Sequence, residues 1–247
     1  MSIVIDDLRL AYDKKVPILD NINLEIQKGE CISIIGKSGC GKSSLLKCVA
    51  GLTANYEGRV FIHDELIQEP HEHVSYLFQT PILLEWRSVL DNVLLPLELK
   101  RKVMKEDRNK AKQMMKLVGL QDAAYKYPHE CSGGMKARVA LARMLITEPD
   151  VLLLDEPFSS LDAITKGQLQ KELLNISQVM KPTIILVTHD IEEAVLLSDR
   201  VVLLGGKPAC ISKEFWLDLD EKRDASIRFS ERFVNVVAEI YESVEHL

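Results

Sequence analysis

The sequence predicts an α/β domain with a mostly parallel sheet, an antiparallel β edge and an inserted helical subdomain. Three observations predict it. An apolar run at 31–35 passes through a glycine-rich loop into a helical pattern, and a second apolar run, 151–154, ends in two carboxylates. A third run, 183–187, follows the amphipathic stretch 166–179, and strand, helix, strand in that order marks a crossover between parallel neighbours.

The elements follow in order. Residues 3–10 alternate in strand fashion, and 18–26 repeat the pattern before Lys28-Gly29 stops it, as expected of antiparallel edge strands. The 31–35 strand, its loop and a helix over 43–50 come next, with Gly51 where a C-cap belongs. Residues 59–63 and 74–78 read as two more strands. From Ser88 the apolar spacing becomes helical, most clearly over 105–118, which predicts a helical insertion spanning 88–148. Strand character returns at 151–154, 183–187 and 201–204, and Gly205-Gly206 then turns the chain into a strand at Cys210-Ile211. The tail sets Phe229, Phe233, Val237, Ile240 and Val244 on one helical stripe. Packing on the body, a dimer contact and a membrane contact all remain open for it, although Glu231, Glu239, Glu242 and Glu245 oppose an anionic lipid surface. The expected organisation is one domain over 1–247, with a core of 1–87 and 149–205, the helical subdomain 88–148 and a strand/helix extension 206–247.

With 247 residues, 47% of them hydrophobic, the chain has ample material for a core without metals or disulfides. A formal net charge of -6 argues against a nucleic-acid partner, which usually requires a basic surplus or a dense basic face. The five cysteines contain no C-x-x-C pair and read as reduced thiols. Cys40 and Cys131 lie inside the motifs below, where a reactive thiol and an ordinary small side chain are both open. Charge appears too early for a signal peptide and no stretch approaches eighteen apolar residues, so the chain is not expected to span a membrane.

Gly36-Lys37-Ser38-Gly39-Cys40-Gly41-Lys42-Ser43 satisfies G-x-x-x-x-G-K-[ST] between a predicted strand and a predicted helix. Small residues let successive backbone N–H groups converge on phosphate, and the new helix points its positive end at the same place. Lys42 adds a cation for the β- and γ-phosphates, and Ser43 offers a hydroxyl to Mg²⁺. Ser44 is counted with the loop as a nucleotide contact. These residues predict a P-loop NTPase core that binds ATP with Mg²⁺.

The strand 151–154 terminates in Asp155-Glu156-Pro157, at the carboxyl end of a parallel strand, where ligands of such sheets bind. Asp155 is placed to hold Mg²⁺ through water, and Glu156 to take a proton from the water attacking the γ-phosphate. Consecutive strand residues face opposite ways, so the backbone has to turn at the strand end to bring both carboxylates to one ligand.

At Cys131-Ser132-Gly133-Gly134-Met135, just ahead of the acidic strand, the chain closely resembles the ATP-binding subunits of ABC transporters. The family's segment here is a signature that contacts ATP held by the other subunit of a dimer, and Ser132, Gly133 and Gly134 match it. Cys131 replaces the usual leucine. Met135 replaces the usual glutamine and is similar to the nitrate, sulfonate and taurine importer type. The resemblance also implies that Tyr12 stacks on adenine and that Gln79 reaches the Mg²⁺ and water region. It implies that Asp162, in Ser160-Leu161-Asp162, crosses the dimer interface, and that His189 is a switch histidine beside the γ-phosphate. On the residues alone Tyr12 also reads as strand packing, Gln79 as a turn residue and Asp162 as a helix cap. His63, His71, His73 and His129 match no such role.

The stretch 83–93, with Trp86, Ser88, Val89, Asn92 and Val93, resembles the same importer type, though Glu85 replaces a proline. In that family the region borders the groove for a permease's coupling helix, which makes Trp86 an exposed anchor. Core packing is the other reading of Trp86. The resemblance therefore implies a second copy of the subunit, a separate transmembrane permease, an extracytoplasmic solute-binding protein, and peripheral attachment at the cytoplasmic face of the membrane. A soluble ABC ATPase clamp acting on nucleic acid or another non-transport partner is the rival reading. It has less support, because the length leaves no room for long coiled-coil insertions or a second core. A nucleotide-gated scaffold with little hydrolysis is a third, which Glu156 opposes as a positioned general base.

Overall fold

The computed structural model of the protein describes residues 3–13, 16–53, 55–219 and 225–247. Two long strands, β1 (Ile3–Asp13) and β2 (Val16–Ile26), pair antiparallel. Alternation in β2 buries Leu19, Ile22, Leu24 and Ile26 and exposes the residues between them, as befits a sheet with one wet face. The six-residue β3 (Cys31–Gly36) leads through the glycine loop into α1 (Lys42–Val49), which stops at Ala50 with Gly51 beyond it at φ 69°. The chain then returns to the first sheet. β4 (Tyr56–Ile62) pairs with β1, and a two-residue turn with His63 and Asp64 both left-handed closes a hairpin to β5 (Glu65–Leu66). The antiparallel strands thus form a sheet of their own, in the order β2-β1-β4-β5.

β6 (Val74–Leu77) precedes three helices, α2 (Val89–Lys100), α3 (Lys105–Leu117) and α4 (Gly133–Leu145). Ser88 caps α2 by accepting from the Asp91 N–H, and Ser132 caps α4 by accepting from the Met135 N–H. The rest of the chain supplies β7 (Val151–Asp155), α5 (Ala163–Met180), β8 (Thr183–Val187), α6 (Ile191–Leu197), β9 (Arg200–Gly205), β10 (Cys210–Trp216) and α7 (Glu231–Glu245).

The second sheet has the order β10-β9-β3-β8-β7-β6, and every neighbouring pair is parallel except β9 with β10. Both of its faces are covered, which is why β7 and β8 are apolar without alternation. Leu152, Leu154, Ile184, Leu186, Val201 and Leu203 point into one core with the helices α2–α7. Val151, Leu153, Ile185, Val187, Val202 and Leu204 point into the other, shared with α1 and the antiparallel sheet. The register is fixed by this two-sided burial, since a slip of one residue would exchange the two sets.

The tail departs from its sequence-predicted stripe at one position. Phe233 and Ile240 are buried in the helix-side core and Val237 and Val244 pack against it, so α7 docks on the body. Phe229 belongs instead to a 3₁₀ turn, Ala225–Phe229, that ends before the helix begins, and it is 89% exposed.

Candidate functional site

Strand order brings the candidate residues together. β8 lies between β3 and β7, with Val187 paired to Ile34 on one side and to Asp155 on the other, and Leu77 of β6 pairs with Leu154. The glycine loop, the His189 turn, the Asp155-Glu156 end and Gln79 therefore leave the carboxyl edges of adjacent parallel strands, where α/β sheets bind ligands.

The loop is shaped by glycines that nothing else can replace. Gly36 has φ 156°, and a Cβ there would lie 2.5 Å from the Leu204 carbonyl oxygen; Gly41 has φ 107°, and a Cβ would meet Ile18 and Leu19 at 2.8 Å. Lys42 Nζ donates to the carbonyls of Gly36 and Lys37 at 3.0 and 3.1 Å, which holds the ammonium over the loop with one of its three protons still to give. Lys37, Ser38, Gly39 and Cys40 line a cavity of 560 Å³ with Val16–Ile18 on its far wall. Tyr12 lies in β1, but its side chain is outside the described ones.

The two carboxylates have separate partners. Asp155 is buried, its Oδ1 accepting from Ser43 Oγ at 2.7 Å and its Oδ2 from the Tyr76 hydroxyl at 2.9 Å. Glu156 turns the chain with φ 46°, a left-handed conformation rare outside glycine, while its N–H donates to Val187 O at 2.9 Å. That turn leaves its side chain toward Gln79 and His189. Glu156 Oε2 accepts from Gln79 Nε2 at 3.1 Å and lies 3.4 Å from His189 Nδ1. Gln79 Nε2 also reaches Ser159 Oγ at 3.4 Å.

Ser132, Gly133 and Gly134 stand elsewhere, at the start of α4. With Gly119, Arg138 and Thr165, Ser132 and Gly134 line a 330 Å³ cavity that none of the glycine-loop residues borders. Gly134 packs so closely on Thr165 that a Cβ would sit 2.3 Å from its methyl. Cys131 is half-buried, and burial raises its thiol pKa, which works against a reactive thiolate. Asp162 caps α5, its Oδ1 accepting from the Ile164 and Thr165 N–H groups at 3.1 Å.

Trp86 is 74% exposed, which excludes the core-packing reading. Its loop is pinned from beneath by the fully buried Asn92, which accepts from the Leu84 N–H and donates to the carbonyls of Leu84, Arg87 and Ser88. Sequence reasoning missed Tyr76, Ser159, Lys166 and Asp190 as neighbours of the site. Tyr76 was legible only as a polar group on the strand next to the acidic one. Ser159 and Asp190 depend on how loops return to the sheet, and Lys166 on how α5 packs beside the turn that bears Asp190.

A family model described as ABC transporter matches residues 19–159. An aliphatic sulfonates import ATP-binding protein, SsuB of Bacillus thuringiensis, is 41% identical over 249 residues, covering 100% of this chain and 97% of its own. A nitrate import ATP-binding protein, NrtD of Synechococcus elongatus, is 44% identical over 209 residues, covering 83% of this chain and 76% of its own. Among solved structures, the dimeric bacterial ABC transporter cassette MJ0796 superposes with a TM-score of 0.78 at 30% identity, over 88% of this chain and 100% of that one.

Proposed function

This chain belongs to the ABC transporter family as an ATP-hydrolysing, ATP-binding subunit, and from that premise we propose that it drives import of a small solute through a separate permease. The observation that carries the reading is the convergence of Lys42, Ser43, Asp155, Glu156, Gln79 and His189 on one edge of the sheet.

Backbone N–H groups of Gly36–Ser44 and the free Lys42 proton bind the ATP phosphates, and the start of α1 adds its dipole. Ser43 Oγ and Asp155 Oδ1, hydrogen-bonded at 2.7 Å, are hard oxygens of the kind Mg²⁺ takes, and would hold it with the hydroxyl directly and the carboxylate through water. Gln79 Oε1 is a third such oxygen, its amide nitrogen being turned to Glu156. Mg²⁺ bound by these residues would neutralise part of the phosphate charge. Water attacks the γ-phosphorus, Glu156 Oε2 takes the water proton, and the bond to the β–γ bridging oxygen breaks, its electron pair leaving with ADP. Gln79 orients that carboxylate, and His189 stands where its ring stabilises the γ-phosphate oxygens. Tyr12 is assigned to adenine by the resemblance alone.

The separation of Ser132–Gly134 from the glycine loop supports a site completed by a second copy, with Asp162 at the junction. The division into a core (1–87 and 149–205), a helical subdomain (88–148) and an extension (206–247) is part of the same reading. Exposed Trp86, on its pinned loop beside a 480 Å³ cavity containing Arg87, Asp91 and Tyr127, fits a permease contact at the cytoplasmic face of the membrane. Among the described residues no helix is long and apolar enough to cross a membrane. The solute is met by the permease and an extracytoplasmic binding protein, and the names of the relatives make sulfonates and nitrate the first to try.

Phosphate release from ATP by the purified chain, with and without Mg²⁺, tests the hydrolase. Uptake of labelled alkanesulfonate and nitrate by cells lacking this chain tests the transport. Hydrolysis indifferent to Mg²⁺, or undiminished uptake of every solute tried, would count against it.

A further inference from the structure

A polar chain, buried at its middle, runs from the C-terminal segment to the His189 turn. Arg228, in the 3₁₀ turn before α7, donates from Nη2 to Gln170 Oε1 at 2.7 Å, and Gln170 Nε2 donates to Glu193 Oε2 at 3.2 Å. Lys166 Nζ bridges that same Glu193 oxygen at 2.8 Å and Asp190 Oδ2 at 2.7 Å. Asp190 directly follows His189, and its other oxygen caps α6 by accepting from the Glu193 N–H at 2.9 Å. Its own N–H donates to Thr188 Oγ1 at 3.1 Å, so the backbone on both sides of His189 is tied down.

The burial of the middle of this chain needs a reason. Glu193 is 2% exposed and Gln170 1%, and burying charge is costly enough that an apolar set of similar shape would stabilise the fold at least as well. What the ionic set adds is direction. One ammonium holds two carboxylates from α6 and the turn before it, while its own helix, α5, starts at Asp162, where the Lys166 N–H donates to the Asp162 carbonyl at 2.8 Å. Without Lys166 the Asp190 and Glu193 carboxylates would repel each other with no cation between them, straining the turn that bears His189.

We propose that Lys166 and Arg228 are positioning residues that hold His189 against Glu156, so that the C-terminal segment sets the rate of ATP hydrolysis. The assignment rests on His189 acting in hydrolysis as described above. A displacement of about 1 Å at a reacting group costs on the order of a hundredfold in rate, so a partial shift transmitted through the chain should cost less.

The test is single-turnover hydrolysis of radiolabelled ATP, which resolves slow residual rates, in the full chain carrying Lys166→Met, Lys166→Arg, Arg228→Met, His189→Ala and Arg228→Met with His189→Ala. Lys166→Met should slow hydrolysis by about tenfold or more and Arg228→Met by about threefold or more, with the half-saturating ATP concentration unchanged. Lys166→Arg, which keeps the cation, should stay within about twofold of the unmodified chain. If the chain acts through His189, Arg228→Met should cost nothing further in the His189→Ala background. Should Lys166→Met fail to fold, Lys166→Arg and the half-buried Arg228 still decide the question. Unmodified rates in Arg228→Met, or full multiplication of the two losses in the double variant, would overturn the proposal. A His189→Ala chain as fast as the unmodified one would instead overturn the role of His189 itself.

Discussion

The Ser43 hydroxyl donates to Asp155 Oδ1 at 2.7 Å, joining the first turn of α1 to the end of β7 across the intervening β8. The bond holds together two groups that the proposed Mg²⁺ site needs as neighbours. Ser43→Ala and Asp155→Asn should each raise the Mg²⁺ concentration required for tight ATP binding by at least the roughly tenfold that even an outer-shell ligand is worth. Titration calorimetry at stepped Mg²⁺ reads this directly, and folded variants with unshifted Mg²⁺ dependence would sink the assignment.

Glu156→Gln keeps the shape of the side chain beside Gln79 and His189 but removes its basicity. Phosphate release should fall by about 10²- to 10⁴-fold while ATP binding survives. If hydrolysis is what opens the closed dimer, light scattering should find this variant dimeric in MgATP. A monomer that releases phosphate at the unmodified rate is the outcome the mechanism does not permit.

Ser132→Arg places a long cation at the cap of α4, on the cavity it shares with Gly134. Each monomer should still bind nucleotide, because no glycine-loop residue borders that cavity, yet the ATP-bound dimer should not form. A mixed dimer with Glu156→Gln has one site without its base and another facing the damaged cap, so neither should turn over normally. Dimerisation of Ser132→Arg in MgATP, seen by light scattering, would show that these residues do not close the site.

Arg101 holds Asp107 in two hydrogen bonds of 2.7 Å, and the Met104 N–H adds a third at 2.8 Å. Together they lower the Asp107 carboxyl from its ordinary value of 3.8 to about 2. A carboxylate depressed in the folded state stabilises the protein fully above its unfolded pKa, and that contribution drains away as pH falls toward its folded pKa. Arg101→Met should therefore raise the Asp107 pKa and lower the denaturation midpoint at pH 5 to 7, with the difference narrowing from about pH 4 down to pH 2. Carboxyl-carbon NMR titration and denaturant midpoints would check both parts; a difference independent of pH would contradict it.

Sequence made the strands and helices legible wherever burial imposes a period. The 151–154 and 183–187 runs are continuous because both faces of the sheet are covered, and the positions near Ser88 and Ser132 announce their helices through the caps. The hairpin turn at His63-Asp64 was not legible, because both residues adopt left-handed backbone without glycine or asparagine to signal it. Phe229 was misplaced for a related reason: its apolar spacing continues the stripe of α7, but the chain bends at Ser230, which caps the helix by accepting from the Phe233 N–H. At the site, the motifs named Ser43, Asp155 and Glu156. Tyr76, Lys166 and Asp190 join them only through strand order, helix packing and loop return, which local spacing does not encode.

The position of β3 has a consequence for how the chain is made. Its two neighbours, β8 and β9, are encoded some 150 residues later, with Ile32 pairing to Ile185 and Arg200. At about 5–20 residues per second, the ribosome delivers them on the order of ten to thirty seconds after β3 has emerged. For that interval the central strand has two bare edges, the feature that most invites pairing with another nascent chain. Its Ile32 and Ile34 face can be covered early, by α1 and the antiparallel sheet encoded before Leu66, whereas its Ile35 face waits for helices encoded beyond residue 88. The first 66 residues thus act as a cotranslational shield on one side of the strand, and the other side is where a chaperone would be needed.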